Sequence, residues 1–181
     1  MKTESLPFEI LRRIPIFRGL SESECRQLAE TAATVEFAAG QEVLEQGRRS
    51  QQLWVLLEGT CEVIKRLPGG ERAPEPIVLA TLAPYSNFGE MSFFHSAPHS
   101  ASVRAKTRVK LLLIERSDFD ALVSGEASAA CKLAINTVAS LAERLRRMDD
   151  WVAELLANGT TTQRVPEWNQ LRSTLFDGWT L

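Results

Sequence analysis

The chain has 181 residues, 44% of them hydrophobic and 24% charged, and its 23 acidic and 21 basic side chains leave a formal net charge of −2. This composition excludes a disordered or low-complexity chain, and the near-neutral balance excludes whole-surface binding to nucleic acid or anionic membrane. No apolar run approaches the ~18 residues of a membrane span.

At ~100–200 residues per domain, the length fits one core domain plus an extension. Met1 to Ser5 lack the charged-then-apolar pattern of a signal peptide. Cys25, Cys61 and Cys131 are too scattered for a zinc, iron–sulfur or disulfide framework. A cytoplasmic location is therefore the expectation.

Residues 1–34 read as a helical segment. Leu6, Ile10, Leu11 and Ile14 recur at helical spacing until Pro15 stops them. Ser21 and Glu24 form a capping box flanked by Leu20 and Cys25 as a hydrophobic staple. The helix they open carries Cys25, Leu28, Ala29 and Ala32 on one face.

Residues 35–125 change to a period of two, followed by a short helix. Apolar runs at 53–57, 61–64, 77–80 and 109–114 alternate with turn marks at Gly40, Gly47, Gly59 and Gly69-Gly70. At ~8–12 residues per strand and turn, this stretch predicts about eight short strands, hence a sandwich or jelly roll. Pro74 and Pro76 point to a loop between strands. Arg104, Lys106, Arg108 and Lys110 alternate as one face of a strand, read as a solvated outer face.

Residues 126–158 read as one long helix stopped by Asn158-Gly159. At ~1.5 Å per residue it would run roughly 45 Å. Its apolar positions repeat as a heptad through Cys131, Ala134, Val138, Leu141, Leu145, Met148, Val152 and Leu155. In that register Arg144 at g meets Asp149 at e across a parallel homodimer; a similar stripe would also suit packing on the chain's own barrel. Residues 159–181, with Trp168, Leu171, Leu175, Phe176 and Trp179, suggest a short amphipathic tail helix.

The order of these parts carries a resemblance. Ile14-Pro-Ile-Phe-Arg-Gly-Leu-Ser21, Gly40 to Gly47, Leu53-Trp-Val-Leu-Leu-Glu-Gly59, Phe88-Gly-Glu90 and Ser100-Ala-Ser-Val103 follow one another as in the cyclic nucleotide-binding domain family. That family includes the bacterial catabolite activator proteins and the regulatory subunits of cyclic AMP-dependent kinase. The resemblance covers roughly residues 10 to 155. It implies an α+β, mainly β fold: an antiparallel jelly-roll β-barrel flanked by N-terminal helices and a long C-terminal helix.

Asn87 to Val103 resembles the family's phosphate-binding cassette. There a glycine lets backbone approach the ligand and a short helix offers free N–H groups to a phosphate. The implied ligand is a cyclic nucleotide, cyclic AMP or cyclic GMP, with no other cofactor. The implied contacts are Phe88, Gly89, Glu90, Met91, Ser92, His99, Ser100 and Ala101, with Met148 and Asp149 at the base-reading positions of the long helix. Glu90 occupies the slot that accepts the ribose 2′-hydroxyl proton. His99 stands where the family places an arginine, and an imidazolium there would pair with the phosphate. Tyr85 replaces a usual turn glycine, and Met148 and Asp149 replace small hydroxyl residues.

His95 and His99 do not make a metal pair, because Pro98 interrupts a helix between them and no third ligand is in evidence. No Ser/His/Asp arrangement, zinc-hydrolase spacing or Walker loop suggests catalysis. The near-neutral stretch after Gly159 is too short for a helix-turn-helix with its support, so DNA binding is not expected. The expected function is a cyclic nucleotide-responsive regulatory module signalling to an unknown protein. The alternative is a degenerate domain that binds no nucleotide and serves as a dimerising interaction module.

Overall fold

The structure is a computed structural model and describes residues 7–67, 75–125 and 127–157. The Gly69-Gly70 and Pro74 punctuation, the Asn158-Gly159 stop and the tail helix expected over 159–181 lie outside the described residues. So does the side chain of Leu155.

Helix α1 is a single turn, Phe8–Leu11. Pro15 does more than end it. Proline sits at the first position of a 3-10 turn, Pro15–Phe17, where its missing N–H leaves no helical bond unmade. Helix α2, Glu22–Thr31, opens on the expected capping box: Ser21 Oγ accepts from the Glu24 N–H, and a Glu24 carboxylate oxygen accepts from the Ser21 N–H at 2.6 Å. Its inner face, Cys25, Leu28 and Ala29, is buried with Leu20 and Ala32.

Eight strands follow: β1 Ala33–Phe37, β2 Glu42–Leu44, β3 Gln52–Glu58, β4 Cys61–Lys65, β5 Ile77–Leu82, β6 Asn87–Phe88, β7 Ser102–Ala105 and β8 Val109–Glu115. They form two four-stranded antiparallel sheets, ordered β1-β8-β3-β6 and β2-β7-β4-β5. The fold is therefore a mainly β jelly roll with flanking helices. Alternation along β3 divides the core. Trp54 and Leu56 enter an inner cluster with Leu44, Cys61, Phe88, Val103 and Leu111. Leu53, Val55 and Leu57 instead join Leu11, Ile14, Phe17, Leu28 and Leu133 beneath the helices.

Strand β5 is exposed along almost its whole length despite its apolar sequence, and it bonds only to β4. The basic series from Arg104 to Lys110 does not share one strand face, which corrects that expectation. Arg104 lies on β7 and Lys110 on β8, with a turn between them at 106–108. The Thr107 hydroxyl accepts the Thr60 N–H, and a Cβ on Gly59 would lie 2.3 Å from the Arg108 carbonyl oxygen. Neither a glycine nor a proline marks that turn within the series, so alternation alone concealed it. Arg104 and Lys106 pair with Glu62, and Arg108 with Glu36, consistent with a solvated face.

Helix α3, Glu90–Phe94, interrupts the strands, and α4, Arg116–Gly125, follows them. Helix α5 spans Ala127–Ala157. The chain divides into two compact units, residues 1–138 and 139–181. Within the first, α5 buries Ala129, Ala130, Leu133 and Thr137. The heptad positions Cys131 and Val138 face solvent there, Val138 at 62% exposure, and only Ala134 is drawn against the core. Thus the stripe that packs on the roll is offset from the heptad. In the second unit, Leu145 and Met148 are likewise exposed.

Two polar clamps hold the start of α5 to the N-terminal segment. Glu24 accepts from Lys132 Nζ at 2.8 and 2.9 Å and from Ser128 Oγ at 2.7 Å. Asn136 Nδ2 donates to the carbonyls of Ile16 and Arg18.

Candidate ligand-binding site

The chain turns into α3 on Gly89, whose φ of 84° lies in the left-handed region. A side chain there would collide with the sheet, since a Cβ would stand 2.4 Å from the Gln52 carbonyl oxygen. Phe88 fixes the approach by stacking on Trp54 with ring centroids 6.4 Å apart. The Trp54 indole N–H is buried without an acceptor among the described residues, and its Cδ1 lies beside Gly89.

Glu90 follows at the first helical position and is only 4% exposed. The Asn87 amide donates to its carboxylate at 3.4 Å, a long bond from a neighbour that is itself buried. Met91 is exposed, and the Ser100 hydroxyl points at its sulfur. Ser92 is buried and Ala101 is partly so. One arc from Phe88 to Ser92, with Ser100 and Ala101 across the loop, therefore gathers the expected contacts.

His99 lies inside the cassette loop. It is 6% exposed, with Nε2 2.8 Å from Ser50 Oγ and Nδ1 2.8 Å from Ser92 Oγ. Each ring nitrogen thus has a serine hydroxyl as its hydrogen-bond partner. Burial lowers its pKa below the ordinary 6.5. Held between two serines, His99 braces the cassette loop from within. Its backbone strengthens that role, its N–H donating to the Arg48 carbonyl and its carbonyl accepting the Gly47 N–H.

Tyr85 keeps the turn that a glycine would normally make. Its φ is 74°, unusual for an aromatic residue, and its N–H donates to Leu56 O at 2.6 Å.

A family model described as cyclic nucleotide-binding domain matches residues 34–126, just over half of the chain. The chain belongs to the cyclic nucleotide-binding domain family. It is 31% identical over 114 residues to the cAMP-dependent protein kinase regulatory subunit of Schizosaccharomyces pombe, covering 63% of this chain and 26% of that protein. It is 30% identical over 148 residues to a CRP-like cAMP-activated global transcriptional regulator of Mycobacterium tuberculosis, covering 82% and 62% respectively. Among solved structures, the Thermus thermophilus catabolite activator protein superposes with a TM-score of 0.68 at 30% identity, over 78% of this chain and 62% of that one. The chain spans less than two thirds of the length of these curated relatives. They are regulatory proteins by name.

Within this cyclic nucleotide-binding fold, the cassette is tied to the helix that follows the roll. Arg116 Nη1 and Gln51 Nε2 both donate to the Phe93 carbonyl. The rings of Phe93, Phe94 and Phe119 meet edge to face at 5.0 to 5.7 Å. Helices α3 and α4 are thus in direct side-chain contact.

Sequence reasoning did not single out Ser50, Asn87 or Lys65. Ser50 and Lys65 reach the cassette from 49 and 35 residues away, and nothing local marks them. Asn87, three residues before Glu90, was within reach of inspection. Met148 and Asp149 are exposed on α5 in the second unit. No group of three or more metal-ligating side chains occurs among the described residues, and none of their helices is long and apolar enough to cross a membrane.

Proposed function

We propose that the chain is a regulatory module that binds a cyclic nucleotide, cyclic AMP or cyclic GMP, at the cassette and catalyses no reaction. The observation that carries this reading is the Gly89–Glu90 turn. It combines a backbone conformation and close approach that tolerate only glycine with a buried carboxylate one residue later. Phe88, Gly89, Glu90, Met91, Ser92, Ser100 and Ala101 form the contact set, and Glu90 accepts the ribose 2′-hydroxyl proton. Ligand drawn into the cassette shifts α3, and the Phe93–Phe119 contact passes that shift to α4 and the helix beyond, toward a protein partner. Such a response requires the ligand to favour one arrangement over the other. The exposed heptad positions Cys131, Val138, Leu145 and Met148 of α5 support a parallel homodimer as the assembled state.

A second reading rests on His99. A buried histidine in the slot where the family resemblance implies an arginine favours a domain that has lost its ligand and works through its interaction surfaces. Calorimetric titration with cyclic AMP, cyclic GMP and cyclic dinucleotides separates the two, since absence of binding at millimolar ligand leaves only the second. With a ligand in hand, Glu90→Gln is expected to weaken the ribonucleotide by roughly tenfold or more and the 2′-deoxy analogue hardly at all. Equal losses for both would make Glu90 structural.

A further inference from the structure

Two sets of cations on the roll differ in what they bond to. Arg48, Arg66, Arg104, Lys106 and Arg108 are each paired with a carboxylate, on Glu45, Glu42, Glu62 and Glu36. Lys65 and Arg49 have no carboxylate partner among the described residues. Each holds a backbone carbonyl of the cassette loop instead: Lys65 Nζ donates to Ser100, and Arg49 Nη1 to Ser96 at 3.3 Å. In a chain with more acidic than basic residues, two uncompensated cations on the same loop are a local departure from its charge balance.

Lys65 has the better placement. It ends β4 on the face of Cys61 and Val63, both packed at the inner cluster, and its ammonium reaches the rim at Ser100. The Ser100 hydroxyl lies against Met91 in the first turn of α3. An ammonium donating to one carbonyl retains two N–H donors. His99 meanwhile is buried, with both ring nitrogens bonded to serine hydroxyls.

We infer that Lys65, from strand β4, supplies the positive charge that pairs with the cyclic phosphate, in the role the missing cassette arginine leaves open. This rests on the cyclic nucleotide reading above. A lysine acts as a point charge without the fixed fork of a guanidinium, so the pairing is electrostatic more than geometric. The cation also arrives from β4, the strand that pairs with β7 where the cassette loop ends. Phosphate binding would then draw β4 and the cassette loop together and replace the Lys65–Ser100 contact, at least in part.

The test titrates the full chain with cyclic AMP, cyclic GMP and adenosine, for wild type, Lys65→Met, Lys65→Gln, Lys65→Arg and the carboxylate-paired control Lys106→Met. Lys65→Met and Lys65→Gln are expected to bind the cyclic nucleotide roughly 10- to 150-fold more weakly, with adenosine unaffected and Lys65→Arg close to wild type. Their affinity should also depend less on salt. Loss of adenosine along with the cyclic nucleotide, or a twofold or smaller effect on the cyclic nucleotide, overturns the assignment to Lys65 while the cyclic nucleotide reading stands. A wild type that binds neither cyclic nucleotide overturns both.

Discussion

Replacing Glu24 by glutamine removes one negative charge at a point where two parts of the chain meet. In the native arrangement the carboxylate closes the α2 capping box through Ser21 and accepts from Lys132 and Ser128 on α5. The hydrogen bond from Lys132, then the Ser21 N–H and Ser128, hold its pKa at about 2 against an ordinary 4.5. That separation corresponds to an upper figure of about 3 kcal/mol at ~1.4 kcal/mol per pH unit. Lys132 is 40% exposed, so solvent screening reduces it; about 1–3 kcal/mol is the expected loss at neutral pH. For a chain of this size that lowers the melting temperature by roughly 2–12 °C.

The sign also follows. A carboxyl whose folded pKa is depressed contributes its full stability above the unfolded value, and that contribution is lost as pH falls toward the folded one. The difference between wild type and Glu24→Gln should therefore be constant above about pH 5 and shrink by about 1 kcal/mol by roughly pH 3.5. Urea denaturation of both proteins across that range measures it directly. A Glu24→Gln variant within about 0.5 kcal/mol of wild type at pH 7, or a difference that does not shrink with acid, refutes the assignment of a buried ionic clamp.

Two further outcomes are expected. His99, held neutral by burial, should titrate by NMR with a midpoint below 6.5, so its contribution to stability is present above that pH and lost as pH falls through the folded midpoint; a midpoint above 6.5 would restore the imidazolium. Leu145→Asp places a charge in an exposed heptad position on both chains of a parallel dimer, so light scattering should show a dimer for wild type and a monomer for the variant; a wild type monomeric at tens of micromolar excludes the seam.

Local signals carried far along this chain. Ser21 and Glu24 lie three residues apart and satisfy one another, so their pattern could be read without tertiary information. The count of eight strands followed from turn marks and period, because alternation and glycine spacing are set within each hairpin. The cassette was legible for the same reason: Phe88 to Ser92 is contiguous. What escaped was the pairing across long separations. Glu24 is a local cap by sequence, yet its second role depends on Lys132, 108 residues later. His99 could equally have been an exposed loop residue; its burial depends on surroundings that include Ser50 from another loop. The α5 stripe was harder still, since Cys131, Ala134 and Val138 and the buried Ala130, Leu133 and Thr137 are helical series one position apart.

Strand β5 places Ile77, Val78 and Leu79 in contact with water on an outer border of the sheet, with no neighbouring strand on one side among the described residues. Such a border invites a second molecule to add itself by backbone pairing, which in a crowded solution becomes precipitation. The flanking residues counter this. Pro76 stands immediately before the strand and Pro84 two residues after it, so an incoming strand loses a donor at each end of the run. The pair of prolines acts as gatekeepers, limiting an apolar edge of six residues to its own hairpin partner.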